Sequence, residues 1–217
     1  MVSKLPETEK ERYNMAITYE IGDALYLNIT NRCTNNCSFC VRNSQVGLLP
    51  GIDLWLEKEP TIDEVLEDIQ KWDAKKYREF VFCGYGEPMT RTYTVIRICE
   101  KLKELYKIPI RINTNGHANL ICSRDVTPML AGFVDAVSIS MNAKNGKEYQ
   151  QICLSQYGEK AYDAMLDFAV KCKKYVPQVQ LSVVDIMPPK DIEVCRKIAD
   201  EIGVGFKVRH YVKANEK

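Results

Sequence analysis

The chain has 217 residues, 46% of them hydrophobic and 27% charged, which suits one globular domain with a sizeable core. Its 30 basic and 29 acidic side chains leave a net charge of +1, without the basic footprint of a nucleic-acid-binding protein, so nucleic acid is not an expected partner. No apolar run approaches the ~18 residues of a membrane span, and the charged stretch Met1–Arg12 lacks the apolar segment of a signal peptide, so a cytoplasmic protein is expected.

Residues 1–16 read as an N-terminal arm and residues 17–217 as a single core domain. Tyr19–Ile21, followed by Gly22-Asp23, predicts a hairpin with the first strand, Ala24–Thr30. About thirty residues then precede the first helix, where two to six would be typical. This long connection holds Cys33, Cys37 and Cys40 in a C-x3-C-x2-C pattern. Three such thiolates can hold three irons of a cubane cluster and leave the fourth iron open to another ligand. Spacing alone also admits zinc with a distant fourth ligand, or unmodified thiols. Phe39 is placed to shield a cluster on one side.

Thr61 and Glu64 form a capping box, and Ile62, Val65, Leu66, Ile69 and Trp72 follow at helical spacing. The second strand is Glu79–Cys83, and the second helix carries Val95, Cys99, Leu102 and Tyr106 on one stripe. Pro109–Thr114 is the third strand, and Ser123 is the expected N-cap of a short third helix. Val134–Met141 is the fourth strand, followed by a helix with Ala161, Met165, Phe168 and Cys172 inside. Gln178–Ile186 is the fifth strand. Asp191 is expected to cap the last helix, which ends at Gly203, and Gly205–Tyr211 is the sixth strand. Strands alternating with helices imply βαβ units and a parallel sheet. Six strands are too few to close an eight-stranded barrel, so the expected fold is α/β, an open partial (β/α)6 TIM-like barrel. The isolated Cys99, Cys172 and Cys195 fall on apolar helix faces and read as core.

In such folds ligands gather at the carboxyl ends of the strands. The second strand ends in Phe82-Cys-Gly-Tyr-Gly-Glu-Pro-Met89, where Gly84 and Gly86 allow a close approach to a ligand and Glu87 sits at the rim. The third ends in Asn113-Thr-Asn-Gly-His117. The fourth carries Ser138, Ser140 and Asn142 on one face. His117, Asp185, Arg209 and His210 are polar groups placed either to grip a substrate or to sit as satisfied structural residues. Cys83 abuts the glycine motif without an assigned role.

Cys33-x3-Cys37-x2-Cys40 with Phe39, followed by Gly84-Tyr-Gly-Glu-Pro88, resembles the radical S-adenosylmethionine (SAM) superfamily. The wording of Tyr26–Cys40 and the short length are most similar to the small radical SAM proteins linked to TatD-type hydrolases. The resemblance implies a [4Fe–4S] cluster on Cys33, Cys37 and Cys40 and S-adenosyl-L-methionine on its open iron. Reductive cleavage to methionine and a 5′-deoxyadenosyl radical, which abstracts hydrogen from substrate, would be the activity. It implies that Gly86 and Glu87 meet the methionine amino group, that Gly84 also belongs to the cofactor site, that Ser140 and Asn142 take the carboxylate or ribose, that Thr114 lines the pocket and that Phe39 lies near the adenine. Val183, Val184 and Arg209–Tyr211 would add to the adenine wall. An electron donor such as flavodoxin or ferredoxin, a small-molecule or protein substrate and a TatD-type hydrolase are the implied partners. A glycyl-radical-activase-like protein is one alternative, and an iron–sulfur or zinc module without radical catalysis is another. No residue is singled out as acting on substrate.

Overall fold

Alternation along the strands decides which face of the sheet is buried. In the computed structural model, which describes residues 14–43 and 51–211, the hairpin β2 (Thr18–Ile21) and β3 (Ala24–Leu27) opens a seven-stranded sheet. It continues through β5 (Glu79–Phe82), β6 (Ile110–Thr114), β7 (Ala136–Ser140), β8 (Gln178–Val184) and β9 (Gly205–Arg209). The order is β2-β3-β5-β6-β7-β8-β9, with every pair after the hairpin parallel. β2 and β9 form the two edges, so the six parallel strands make the expected unclosed barrel. A separate two-residue pair joins β1 (Asn14–Met15) to β4 (Ile52–Asp53). The arm expected over residues 1–16 otherwise lies outside the described residues up to residue 13.

Leu25, Leu27, Phe80, Phe82, Ile112, Ile139 and Leu181 share one face in register and pack in the main core with the helices. The helices are α1 (Ile62–Ile69), α2 (Thr92–Leu105), α3 (Ala118–Cys122), α4 (Gly146–Cys153), α5 (Lys160–Cys172) and α6 (Pro189–Ile202). The Thr61–Glu64 capping box is formed on both sides, a device worth about 1 kcal/mol. Cys99, Cys172 and Cys195 are fully buried in the core. Among the described residues no helix is long and apolar enough to cross a membrane.

Three helix assignments differ from expectation. Ser123 is the left-handed C-cap of α3 rather than an N-cap, because the helix begins directly after His117. Asp125 takes over downstream, accepting from the Thr127 backbone N–H (3.0 Å) and hydroxyl (2.7 Å). Asp191 lies in the first turn of α6, since Pro189, with its φ preset for a helix, starts the helix earlier. Its carboxylate pairs with Lys144 at 2.8 Å. α4 was not anticipated, although Asn145 caps it through Glu148 N–H at 2.9 Å.

Candidate active site

The cysteine loop leaves β3 at the carboxyl edge of the sheet, and its underside is bonded to the ends of β6 and α4. Thr34 Oγ1 accepts from Asn115 Nδ2 at 2.8 Å and lies 3.1 Å from His117 Nδ1. Asn35 Nδ2 donates to the Tyr149 hydroxyl at 2.9 Å, and that hydroxyl lies 3.3 Å from His117 Nε2. Backbone bonds from Asn36 to the Cys153 carbonyl (3.0 Å) and from Ser38 to Ile152 (2.9 Å) dock the loop on the last turn of α4. His117 is completely buried, and burial lowers its pKa to about 4, so it is a neutral bridge beneath the loop rather than a group that grips substrate.

The glycine motif meets the same loop from the other side. A Cβ on Gly86 would stand 2.2 Å from the Thr30 carbonyl oxygen and 2.7 Å from that of Arg32. A Cβ on Gly84 would stand 2.0 Å from Asn28 Oδ1. The close approach that the sequence assigns to a ligand is therefore first an approach of the chain to itself: the glycines let the cysteine loop cross the end of β5. Glu87 N–H then donates to the Arg32 carbonyl at 2.8 Å.

Glu87 is buried, and its carboxylate accepts from Met89 N–H (3.0 Å), the Thr114 hydroxyl (2.7 Å) and Asn115 N–H (2.6 Å). Burial still outweighs those donors and pushes its pKa up to about 7. Thr114 thus serves the site through Glu87. A carboxylate has room for a fourth donor, and an ammonium arriving there would compensate its buried charge.

The three thiols lie half-buried and unpaired on this loop. Burial, with the Glu87 charge behind it, pushes Cys33 up to about 12, and burial also raises Cys40. Cys37 is lowered, chiefly by a hydrogen bond with the buried thiol of Cys153. Arg42 favours the thiolate of all three, and it is fixed by bonds to the Asn35 carbonyl (3.0 Å) and Asn36 Oδ1 (3.3 Å). Asn35 N–H donates to Cys33 Sγ at 3.4 Å. Sequence reasoning passed over both Arg42 and Cys153. A cation two residues past the last clustered cysteine was a readable signal; nothing in the sequence placed Cys153.

Among the described residues no three His, Cys, Asp or Glu side chains converge as ligands of a single ion would. A cubane makes no such demand, since each thiolate bonds a different iron. The three thiolates therefore fit a cluster, one to each of three irons.

Across the sheet, Arg209 brings Ser140 (3.3 Å) and Asn142 (3.5 Å) together. Asn142 holds a left-handed φ of +53° just past β7 and contacts Cys153, so it links this group to the cysteine loop. Of the two valines expected at the adenine wall, Val183 packs in the main core, and Val184, also buried, lies outside that cluster. Asp185 accepts from Tyr211 N–H (2.7 Å) and pairs with His210 (2.8 Å), tying the end of β9 to the end of β8. Cys83 lends its carbonyl to the Tyr19 hydroxyl at 3.2 Å. Phe39 is half-buried and joins neither apolar cluster of the described residues.

Residues 27–202 match the family model of the Radical SAM superfamily. The chain belongs to that superfamily. The chain is 25% identical over 175 residues to GTP 3′,8-cyclase of Lactiplantibacillus plantarum, covering 80% of this chain and 49% of the cyclase. It therefore spans about half the length of that curated relative. Among solved structures it is similar in fold to SuiB of Streptococcus suis bound to S-adenosylmethionine (TM-score 0.61, 18% identity, 88% of this chain and 39% of that one). It is also similar to the FeFe-hydrogenase maturase HydG of Carboxydothermus hydrogenoformans (TM-score 0.64, 15% identity, 88% of this chain and 44% of that one). Radical SAM proteins bind a [4Fe–4S] cluster and SAM, and the donor set described above suits both.

Proposed function

We propose that this chain is a radical SAM enzyme whose cluster is held by Cys33, Cys37 and Cys40 and which acts on a small polar substrate. When bound and reduced, the cluster and SAM supply a 5′-deoxyadenosyl radical that abstracts hydrogen. The chain's own residues position and insulate that chemistry. Arg42 offsets the negative charge of the thiolates, and Asn35 N–H donates to the Cys33 sulfur. The glycine motif and Glu87 receive the methionine amino group, with Thr114 and Asn115 fixing the Glu87 carboxylate. Ser140, Asn142 and Arg209 take the carboxylate or ribose. Phe39, with no core contact of its own, is free to lie against the adenine.

The single observation that carries this reading is the bonded path from Cys33 through Asn115 to Glu87 and Thr114. It ties the cysteine loop to the glycine motif through the end of β6. An electron carrier would need no such second pocket beside its cysteines. The nine cysteines and an oxygen-sensitive cluster suit a reducing, cytosolic compartment with a donor such as flavodoxin or ferredoxin. The wording of residues 26–40 supports a link to a TatD-type hydrolase, which co-purification would test. The function itself is tested by anaerobic reconstitution followed by reduction in the presence of SAM. We expect 5′-deoxyadenosine from the wild type, and loss of both iron and 5′-deoxyadenosine in the Cys33, Cys37 and Cys40 triple alanine variant. Wild-type iron and sulfide in that variant would sink the cluster assignment.

A further inference from the structure

The concave face of the sheet, opposite the core, is polar and carries uncompensated positive charge. In register, Asn113, Ser138 and Gln180 form one row, and Ser140, Ser182 and Lys207 form the next toward the carboxyl ends. The cleft they line with Arg111 and Arg209 is narrow, about 40 Å³, and shares Arg111, Gln180 and Lys207 with a cavity of about 610 Å³ at the amino ends of β7–β9. The charged lining is four cations, Arg111, Lys173, Lys207 and Arg209, against one carboxylate, Glu79.

Glu79 is already committed to a two-pronged pair with Arg111 at 3.0 and 2.7 Å. Lys173 donates to the Ile202 carbonyl at 2.6 Å. Arg209 meets only the neutral oxygens of Ser140 and Asn142. The carboxylate past β8, Asp185, is turned to His210 and Tyr211. The exposed Lys207 ammonium has no hydrogen-bond or ion-pair partner among the described residues. A barrel interior that only had to fold would be filled with branched apolar side chains. Here Gln180 donates to Ser138 (3.0 Å), Ser182 to the Ile139 carbonyl (3.3 Å) and Arg111 to Asn113 (2.6 Å), which leaves Lys207, exposed on the edge strand β9, as the cation of this lining with no acceptor among the described residues, and covering it is costly unless what covers it supplies one.

We infer that this lumen binds a small polar anion, a molecule with a carboxylate or phosphate group, with Lys207 as its charge partner and the neighbouring serines and Gln180 taking its neutral polar atoms. That this anion is the substrate rests on the radical SAM reading above; the anion site does not. Gly205 lies opposite Gln180 on β9 and leaves the lumen open beside Lys207.

The test is calorimetry on the protein reconstituted with its cluster, with and without SAM, titrated separately with inorganic pyrophosphate and with succinate. We expect saturable binding of one of the two, about tenfold weaker in Lys207→Met and restored in Lys207→Arg, with SAM affinity unchanged in both variants. Preference for pyrophosphate identifies a phosphate-bearing ligand, and preference for succinate a carboxylate. If neither anion binds saturably, or if wild type and Lys207→Met bind alike, the proposal is overturned. Anion binding that follows Lys207 in a protein that yields no 5′-deoxyadenosine would overturn the enzyme reading and leave the anion site standing.

Discussion

The underside of the cysteine loop and the concave face of the sheet are both polar and both lie under the candidate active site, yet they are built in opposite ways. Beneath the loop, Thr34, Asn35, Glu87, Asn115, His117 and Tyr149 spend their polar atoms on one another. On the concave face, Lys207 spends nothing and Arg209 meets only neutral partners. A buried network this densely bonded, in which only Asn35 Oδ1 lacks a partner among the described residues, holds one geometry, because breaking any bond strands its partner. A surface whose polar groups are paired except for one exposed ammonium waits for the anion that completes it. On the function proposed above, the first region fixes a cofactor in place and the second discriminates among molecules that reach it.

The largest effect should come from breaking the region beneath the cysteine loop at Gly86. Its Cβ would collide with backbone carbonyl oxygens at 2.2 and 2.7 Å, which cannot swing aside as a side chain can. Gly86→Ala should cost at least about 3 kcal/mol of stability and abolish cluster incorporation, not merely weaken SAM binding. Iron and sulfide counts together with thermal denaturation check this. A folded Gly86→Ala protein with a full cluster would show that the loop can retreat, and that the glycine serves only the ligand.

A smaller effect is a pair of opposed pH dependences in the cofactor-free protein. Glu87 titrates at about 7 in the fold against 4.5 as its ordinary value, so the folded state binds more protons and stability is lost as pH rises between those values. His117 titrates at about 4 against 6.5, so its contribution is present above 6.5 and lost as pH falls toward 4. Between about 4.5 and 6.5 the two slopes cancel. We expect a flat wild-type stability profile there, a rising one in Glu87→Gln and a falling one in His117→Phe, read by urea denaturation at stepped pH. His117→Phe should also lose about 2 kcal/mol throughout, because Thr34 and Tyr149 lose their bridge. Parallel profiles in all three proteins would mean that neither group is buried in the state it occupies here.

The two regions also differ in how far the sequence announces them. The cysteine spacing, the Gly-Tyr-Gly-Glu end of β5 and the Ser140–Asn142 end of β7 are local patterns, and each lies where a parallel sheet puts its ligands. The partners that lock the loop were harder to read, since Thr34, His117 and Tyr149 meet across 83 and 32 residues of chain. Cys153 sits on a helix too short to show a stripe. The cations of the lumen were visible as alternation in Gly205-Phe-Lys-Val-Arg209, where Phe206 and Val208 face the core and Lys207 and Arg209 the lumen. That pattern also reads as a solvated edge strand, which β9 is, and only its pairing with β8 shows that Lys207 stands beside Ser182 on the concave face.

The smallest effect on stability, and the sharpest on function, should come from Asn142, which touches both regions. Its φ of +53° lies in the left-handed region, which asparagine tolerates and glycine adopts freely. Asn142→Gly should therefore leave the fold within about 0.5 kcal/mol of wild type. It would nevertheless remove the carbonyl oxygen that meets Arg209 at 3.5 Å and the contact with Cys153. If Asn142 receives the carboxylate or ribose of SAM, the variant should keep its cluster and its stability while binding SAM about tenfold more weakly, the loss expected for one hydrogen bond to a charged or well-placed group. Asn142→Ala should lose the same affinity and additionally be destabilised by about 1 kcal/mol, because its Cβ must hold that φ without the local side-chain bonding open to asparagine. Equal SAM affinity in wild type and Asn142→Gly would confine Asn142 to shaping the turn after β7, and would leave Ser140 and Arg209 as the groups that reach the cofactor.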